Sequence, residues 1–293
     1  MATLTSPFKA FPHSVELPNI PLLETDGEPL ETDWHRVAIA LLLEMLYFCW
    51  RGRTDFFAGG NMFIYYSEQQ VRAQDYRGPD FFCVKGVDGT SQRKYWVVWL
   101  EDGKYPDAII ELLSPRTAVI DRTTKKTLYE STFRTPEYFC YDPDARRLEG
   151  WRLNGQHRYQ DIPANENGWL WSEELQLWLG TWEGSYLERS ATWLRFYDDQ
   201  GRLVPTRAEA AEAALKVKDI KLTQAEADLK VTQSNLTQAE ADLKVKDMKL
   251  AQAEADLKVK DIKLTQAEAE IARLKTLLTE KGTPLPPAKD VSS

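Results

Sequence analysis

The fold is decided by the stretch DAIIELLSPRTAVIDRTTKKTLYESTFR, residues 107–134. Its first part, 107–114, is apolar and rich in branched residues, as in a buried strand. Ser114 and Pro115 then turn the chain, and residues 117–134 are predicted to form a helix. A buried strand followed at once by a helix is typical of an α/β or α+β domain.

Strands and helices are predicted on both sides of this stretch. Residues 34–50, WHRVAIALLLEMLYFCW, have the length and apolar density of a buried helix, with Asp33 as its N-cap. A hairpin is predicted at 147–162, turning at Asn154 and Gly155. Further strands are predicted at NMFIYYS (61–67), DFFCVKGV (80–87), KYWVVWL (94–100) and EYFCYDP (137–143). Together these elements predict a mixed β-sheet with helices on its faces.

The C-terminal part contains a 14-residue repeat. LKVKDIKLTQAEAD at 215–228 recurs three times, so that leucine stands at every seventh position from Leu215 to Leu264. Because 14 residues are two heptads, the repeat predicts a long helix that self-associates as a coiled coil. Lys and Ala alternate at the other core position of the heptad, which weakens the interface. A single solvated helix is the alternative.

These patterns divide the chain into four parts. Residues 1–15 are predicted to be a flexible N-terminus and 16–206 a globular domain. Thr206 is predicted to cap a helix over 207–281, and residues 282–293, which contain Gly282 and three prolines, are predicted to form a disordered tail.

Composition limits the classes of function. The net charge of −8 lies entirely in residues 1–206, because 207–293 contain equal numbers of basic and acidic residues. Such a domain is unsuited to broad nonspecific nucleic-acid binding, although a local metal-assisted site is compatible with it. No apolar run predicts a membrane span, and the N-terminal sequence predicts no secretory signal, so we expect a cytoplasmic protein. Cys49, Cys83 and Cys140 are expected to be reduced core residues.

Two carboxylates lie beside apolar strands. Asp80 opens the strand FFCV, and Glu111 lies inside AIIELL, where an ionised side chain is costly unless it is paired or binds a metal. Carboxylates at neighbouring strand ends can hold Mg²⁺ or Mn²⁺. Asp121 and Lys125 follow on one face of the next helix, where the lysine would assist an attacking water. From residues alone, turn-forming or salt-bridge roles for the carboxylates and a solvent-facing role for the lysine are more usual than a metal site.

Three segments resemble the Uma2 family of endonucleases, which is abundant in cyanobacteria and belongs to the PD-(D/E)XK nuclease superfamily. They are RGPDFF (77–82), the stretch from Trp96 to Asp144, and LRFYDDQGRLVPT (194–206). The resemblance covers about residues 16–207 and implies a restriction endonuclease-like mixed sheet flanked by helices. It also implies metal binding by Asp80 and Glu111, with Lys125 as the lysine and Asp121 as its neighbour.

Several positions stay open under this resemblance. The superfamily lysine expected two residues after Glu111 is Leu113, and Lys125 replaces it from the helix, as in other family members. Lys126 is adjacent, but the steps from Asp121 to Lys125 to Tyr129 favour Lys125. Tyr129 is expected to pack between helix and sheet. The candidates for a further ligand near the first helix are Glu28, Glu31 and His35, although a capping or surface role is the more ordinary one for His35.

Two hypotheses about function follow. The first is a Mg²⁺-dependent endonuclease that hydrolyses phosphodiester bonds in DNA. The alternative is a catalytically inactive nuclease fold that serves as an interaction module and oligomerises through its coiled coil.

Overall fold

The computed structural model describes residues 32–73 and 78–280. The chain forms two compact units, Met1–Ala213 and Ala214–Ser293. The predicted flexible N-terminus, the predicted tail, Glu28 and Glu31 lie outside the described residues. Within them, no helix is long and apolar enough to cross a membrane.

The first helix, α1, spans Asp33–Cys49. Its N-cap is Thr32, whose hydroxyl accepts a hydrogen bond from the backbone N–H of His35 at 3.3 Å. The prediction that Asp33 caps this helix was therefore wrong by one residue, since Asp33 already has helical backbone geometry. Leu41, Leu42 and other apolar residues of α1 are fully buried against the sheet.

The main sheet has six strands in the order β1-β3-β5-β6-β7-β8. Strands β5 and β6 run parallel, whereas the other neighbouring strands described in this sheet are antiparallel. This arrangement confirms the predicted mixed sheet and the predicted hairpin of β7 and β8. The strands are β1 (Phe56–Gly59), β3 (Phe81–Lys85), β5 (Ala108–Leu112), β6 (Glu137–Asp142), β7 (Arg147–Leu153) and β8 (Tyr159–Asp161).

Two smaller sheets accompany the main one. They were not predicted as sheets, although the short apolar strand expected at the start of LRFYDDQGRLVPT (194–206) forms the end of the strand Arg189–Tyr197. An antiparallel sheet has the order β11-β10-β9, and a parallel pair joins β2 to β4. The predicted strands at 61–67 and 94–100 are reduced to two residues each, because their aromatic side chains pack into a small separate cluster with helix α2 (Glu68–Arg72). A 3₁₀ turn, Val98–Leu100, follows β4. The strands are β2 (Ile64–Tyr65), β4 (Trp96–Val97), β9 (Leu170–Ser172), β10 (Leu177–Tyr186) and β11 (Arg189–Tyr197).

The helix predicted at 117–134 spans residues 118–133, and we call it the site helix. It alternates between short α-helical turns, α3 (Ala118–Ile120) and α4 (Lys126–Leu128), and π-helical turns, Asp121–Lys125 and Tyr129–Phe133. No pattern in the sequence predicts the wider π turns. Arg134, at φ 52°, ends the segment in the left-handed region.

The two faces of the main sheet are covered differently. Strands β5 and β6 send alternate side chains to opposite faces, as the pleat of a strand requires. Ile110 and Phe139 pack into the core shared with α1 and the sheet β9–β11. Ile109 and Tyr138 pack into a second core, which contains Tyr129 and Phe133 of the site helix.

The cysteines are only partly as predicted. Cys83 and Cys140 are buried free thiols inside β3 and β6. Cys49 is exposed, so its assignment to the core was wrong. It is the last residue of α1, where the helix leaves the sheet.

The last helix, α5, spans Arg207–Glu280 and contains 74 residues, which corresponds to about 110 Å at 1.5 Å per residue. Thr206 lies at its N-terminus, where the Thr206 hydroxyl accepts a hydrogen bond from the N–H of Glu209 at 3.2 Å. The Glu209 carboxylate in turn accepts one from the N–H of Thr206 at 2.7 Å, which completes a capping box. The predicted long helix and its cap are thus confirmed.

The leucines of α5 are exposed in the single chain. Leu215, Leu222 and Leu229 have 59%, 60% and 66% of their surface exposed. Val217 and Ile220 are also exposed, at 52% and 70%. At about 100° per residue, these two lie roughly 140–200° around the helix from Leu215. The helix therefore has a leucine stripe on one side and a sparser valine and isoleucine stripe on the other.

Candidate active site

The strand register brings Asp80 next to Glu111. Phe81 of β3 pairs with Ile110 of β5, so Asp80, one residue before Phe81, lies opposite Glu111. The backbone N–H of Asp80 points at Glu111 Oε2, 3.4 Å away. The N–H of Leu112 donates to Asp80 Oδ2 at 2.7 Å. Each carboxylate is thus held by the backbone of the strand that carries the other.

The site helix places Lys125 against these carboxylates. Lys125 Nζ lies 3.0 Å from Glu111 Oε1 and 2.8 Å from Asp121 Oδ1. The Tyr129 hydroxyl also donates to Glu111 Oε1, at 3.0 Å. Asp121, Lys125 and Tyr129 are spaced four residues apart, and the π turns between them keep every fourth side chain on the side facing Glu111.

Lys126 occupies a different environment from its neighbour. Its Nζ lies 3.8 Å from the centroid of the Trp151 ring, in a cation–π contact. The structure therefore brings Lys125, and not Lys126, to Asp80, Glu111 and Asp121. Tyr129 is packed between helix and sheet as predicted, but its hydroxyl also fixes one oxygen of Glu111.

The carboxylates lie in a largely dry environment. The side chains of Glu111 and Asp121 are 1% and 2% exposed, and that of Lys125 is 18% exposed. Asp80 as a residue is intermediate in burial, less buried than Glu111 and Asp121. Although Asp121 Oδ1 is close to the lysine, it accepts no hydrogen bond of good geometry within the described residues.

Burial and mutual repulsion shift the protonation of these groups. Burial raises the pKa of Glu111 to about 8, and the nearby charges of Asp80 and Asp121 act in the same direction. Burial also raises the pKa of Asp80 to about 6, although the Lys125 charge opposes the shift. For Lys125, burial alone would lower the pKa, but the carboxylates of Glu111 and Asp121 outweigh it and raise the pKa above its ordinary value. The lysine is therefore a cation at neutral pH.

Asp80 and Glu111 are the carboxylates of this site that a cation such as Mg²⁺ or Mn²⁺ could use as ligands. Three carboxyl groups surround one ammonium group, so the site holds an excess of negative charge when all are ionised. No group of three His, Cys, Asp or Glu residues is positioned to hold a metal within residues 32–73 and 78–280. Two carboxylates completed by water and substrate oxygens are a usual environment for Mg²⁺, which gives up its hydration water reluctantly.

His35 is buried next to this site, so the expected surface role was wrong, whereas its ring and its backbone N–H do contact the N-cap residue Thr32. Only 6% of the residue is exposed. Its Nε2 donates to the carbonyl oxygen of Leu112 at 3.1 Å, and its Nδ1 lies 2.8 Å from the Thr32 hydroxyl. Because Asp80 accepts from the N–H of the same Leu112, His35 and Asp80 hold that residue from its two polar groups.

Comparisons with known proteins point to one family. The model of the Uma2 family, described as "Putative restriction endonuclease", matches residues 21–185. Among solved structures, the chain is similar to "a putative nuclease belonging to DUF820" from Anabaena variabilis, at 14% sequence identity and a TM-score of 0.37. That similarity covers 52% of this chain and 81% of the solved chain. A comparison with curated proteins finds no match.

Proposed function

Because the chain belongs to the Uma2 family, whose model is described as "Putative restriction endonuclease", we propose that it is a Mg²⁺-dependent endonuclease that hydrolyses phosphodiester bonds in DNA. The observation that carries this proposal is the buried contact of Lys125 with Glu111, 3.0 Å apart beside Asp80. A buried lysine among several carboxylates is expensive to maintain for stability alone, and such perturbed groups concentrate at functional sites.

Asp80 and Glu111 would hold the metal ion through their carboxylate oxygens. When bound, Mg²⁺ or Mn²⁺ supplies positive charge that polarises the phosphate and lowers the pKa of a coordinated water. Tyr129 and Lys125 both occupy Glu111 Oε1, which leaves Oε2 as the less engaged oxygen of that carboxylate.

Lys125 would act on the phosphate and the attacking water. Its raised pKa keeps it protonated, so it serves as a hydrogen-bond donor and a positive charge, and not as a base. Asp121 positions the ammonium group through their 2.8 Å contact. In the reaction, a water gives up one proton to the solvent and its oxygen bonds to phosphorus, the bond to the leaving oxygen breaks, and that oxygen takes up a proton in exchange. The products are a phosphate end and a hydroxyl end.

The decisive experiment is a cleavage assay with supercoiled plasmid and linear DNA in Mg²⁺, Mn²⁺ or EDTA. We expect metal-dependent nicking by the wild type, and losses of about 100-fold or more for Glu111→Gln and Lys125→Ala. Lys126→Ala is the matched control, because it removes an adjacent lysine that does not touch the carboxylates. Intact DNA in both metals, together with no metal binding by calorimetry, would exclude the nuclease function.

Helix α5 would join copies of the chain. Its leucine stripe is more than half exposed in the single chain, and burying such a stripe is what stabilises a coiled coil in water. The same stripe favours the alternative function, an inactive nuclease fold that assembles partners. That alternative predicts self-association without any metal-dependent cleavage, so the assay above separates the two.

A further inference from the structure

A cleft of about 580 Å³ opens at the carboxyl ends of β5 and β6. Its walls come from three places: the start of α1, the turn after β5 and the residues after β6. Ligands in sheets with parallel strands commonly bind outside the carboxyl ends of those strands, and β5 and β6 are the parallel neighbours of the main sheet. The residues that matter for its chemistry are Trp34, His35, Pro115, Arg116, Pro143 and Asp144.

The cleft is adjacent to the candidate active site. Leu113 and Ser114, which line it, directly follow the last residue of β5, two and three positions after Glu111. His35 lines the cleft and contacts the carbonyl oxygen of Leu112 at 3.1 Å. Leu112 donates to Asp80 at 2.7 Å. A ligand in the cleft would therefore contact residues that directly follow β5 after Glu111. It would also contact His35, whose partner Leu112 holds Asp80.

The lining combines aromatic rings with polar groups, and we call the rings of Trp34 and His35 the aromatic wall. Trp34 is half-buried, and its ring stacks on Trp193 with centroids 5.9 Å apart and planes within 7° of parallel. The His35 ring meets it edge-on at 5.2 Å. Pro115 and Pro143 add apolar surface, while Arg116 is exposed on the rim. The aromatic wall is held in place by packing before any ligand arrives.

This chemistry matches an unpaired nucleotide. Nucleobases stack on aromatic side chains, and a guanidinium group binds a phosphate. Asp144, also on the rim, is an acceptor for an N–H group of an unpaired base, such as N3–H of thymine. A paired base inside a duplex cannot present its face to such a wall. We propose that this cleft binds an unstacked nucleotide of a single strand next to the phosphate that is cut. The position next to that phosphate rests on the proposed nuclease function, whereas nucleotide binding itself does not.

The test measures binding in EDTA, where metal-dependent cleavage does not occur. A fluorescein-labelled oligothymidylate is titrated with the full chain and followed by fluorescence anisotropy, alone and annealed to oligoadenylate. We expect the single strand to bind at least about tenfold more tightly than the duplex. Arg116→Glu should weaken that binding at least about tenfold. Arg36→Glu is the matched control, because Arg36 is an exposed arginine of α1 that does not line the cleft.

The location is tested separately by photo-cross-linking. An oligonucleotide carrying 5-iododeoxyuridine is irradiated with the protein, and we expect mass spectrometry to find the adduct on Trp34 or His35. No binding, equal losses for Arg116→Glu and Arg36→Glu, equal affinity for single strand and duplex, or an adduct elsewhere would each overturn the proposal. If the strand binds in the cleft but DNA is never cut, only the nuclease function fails. If DNA is cut but adducts lie elsewhere, only the cleft assignment fails.

Discussion

Glu111 Oε1 receives two donors at the same distance, the Lys125 ammonium and the Tyr129 hydroxyl, each at 3.0 Å. A buried carboxylate with two donors on one oxygen has little freedom to rotate. The other oxygen is then fixed in direction, and Asp80 approaches from that side. The side chains that neutralise Glu111 therefore also orient it.

Removal of Lys125 should destabilise the protein as well as inactivate it. Lys125→Ala leaves the carboxylates of Glu111 and Asp121 buried without a cation, and we expect the free energy of unfolding to decrease by about 3–5 kcal/mol at a pH where both are ionised. Lys126→Ala removes a cation–π contact and should cost at most about 1 kcal/mol. Urea unfolding in EDTA measures both. Similar losses for the two variants would contradict the central position of Lys125.

The stability of the metal-free protein should depend on Glu111 and pH in a definite direction. In the folded protein its pKa is raised from the ordinary 4.5 to about 8, so the folded state holds a proton that the unfolded state releases. The stabilisation is complete below about pH 4.5 and is lost as the pH rises through about 8.

Thermal unfolding of the wild type and Glu111→Gln across this pH range is the measurement. The difference between the two curves isolates Glu111 from the other titrating groups. The wild type should lose stability relative to the variant as the pH rises, and added Mg²⁺ should reverse part of that loss at pH 8 in the wild type only. A difference that stays constant with pH would show that Glu111 titrates normally.

The site residues that lie in recognisable sequence patterns could be predicted from the sequence. Asp80 and Glu111 were recognised because they interrupt apolar strands, and Lys125 because it lies four residues after Asp121. Their proximity in space follows from the β3 and β5 register, which the sequence did not specify. His35 was misjudged because its partner, the Leu112 carbonyl, is 77 residues away in the chain. The family resemblance itself is confirmed by the family model.

Among the elements, the start of α5 shows how a polar helix is anchored. Arg195 of β11 is fully buried, and its guanidinium binds the carboxylate of Glu209 in the first turn of the helix at 2.7 Å. The same carboxylate completes the capping box with Thr206. The N–H of Arg207 donates to Glu44 of α1 at 3.0 Å. These contacts attach the first turn of α5 to the domain.

Loss of the helix cap should therefore lower the stability of the globular domain. Thr206→Ala removes the acceptor for the Glu209 N–H, and we expect the free energy of unfolding to decrease by about 1 kcal/mol. Thr223→Ala is the control, because the Thr223 hydroxyl donates to a carbonyl in the exposed middle of the helix. Urea unfolding followed by tryptophan fluorescence reports on the domain, since all tryptophans precede α5. Equal effects would mean that the cap is not coupled to the domain.

The elements differ in how well the sequence predicted them. The helix α1, the strands β3, β5 and β6, and the helix α5 have long apolar runs or strict repeats, and they were found. The short pair β2 and β4 was overestimated, because aromatic residues mark burial as well as strand formation. The π turns of the site helix were not predicted, because they accompany contacts of Lys125 and Tyr129 with Glu111 that form only in the folded protein. Of the sheet β9–β11, only the apolar end of β11 was predicted, because the glycines of β10 and the polar residues around them obscure its alternation.

For the whole molecule, the main expectation is self-association through the leucine stripe. Light scattering should show more than one chain per particle for the wild type. Replacing Leu236, Leu243 and Leu250 together by Lys should give a single chain, because charges at consecutive heptad positions cannot be buried.

The matched control uses the opposite side of the same helix. Val217, Val231 and Val245 are exposed to a similar degree, and replacing them together by Lys should leave the association unchanged. Circular dichroism confirms that both variants remain helical. Dissociation of both would show that two sides of α5 contribute, and dissociation of neither would exclude the stripe as the interface.

Because the repeats in α5 are nearly identical, the length of this helix can change in fixed steps. One repeat of 14 residues adds about 21 Å at 1.5 Å per residue, and it contributes two leucines at unchanged heptad positions. Gain or loss of a whole repeat would therefore change the length in steps of that size while the leucine stripe stays continuous. Insertion of a few residues would break the stripe. The length of α5 can thus vary while the leucine stripe, through which copies of the chain would associate, stays the same.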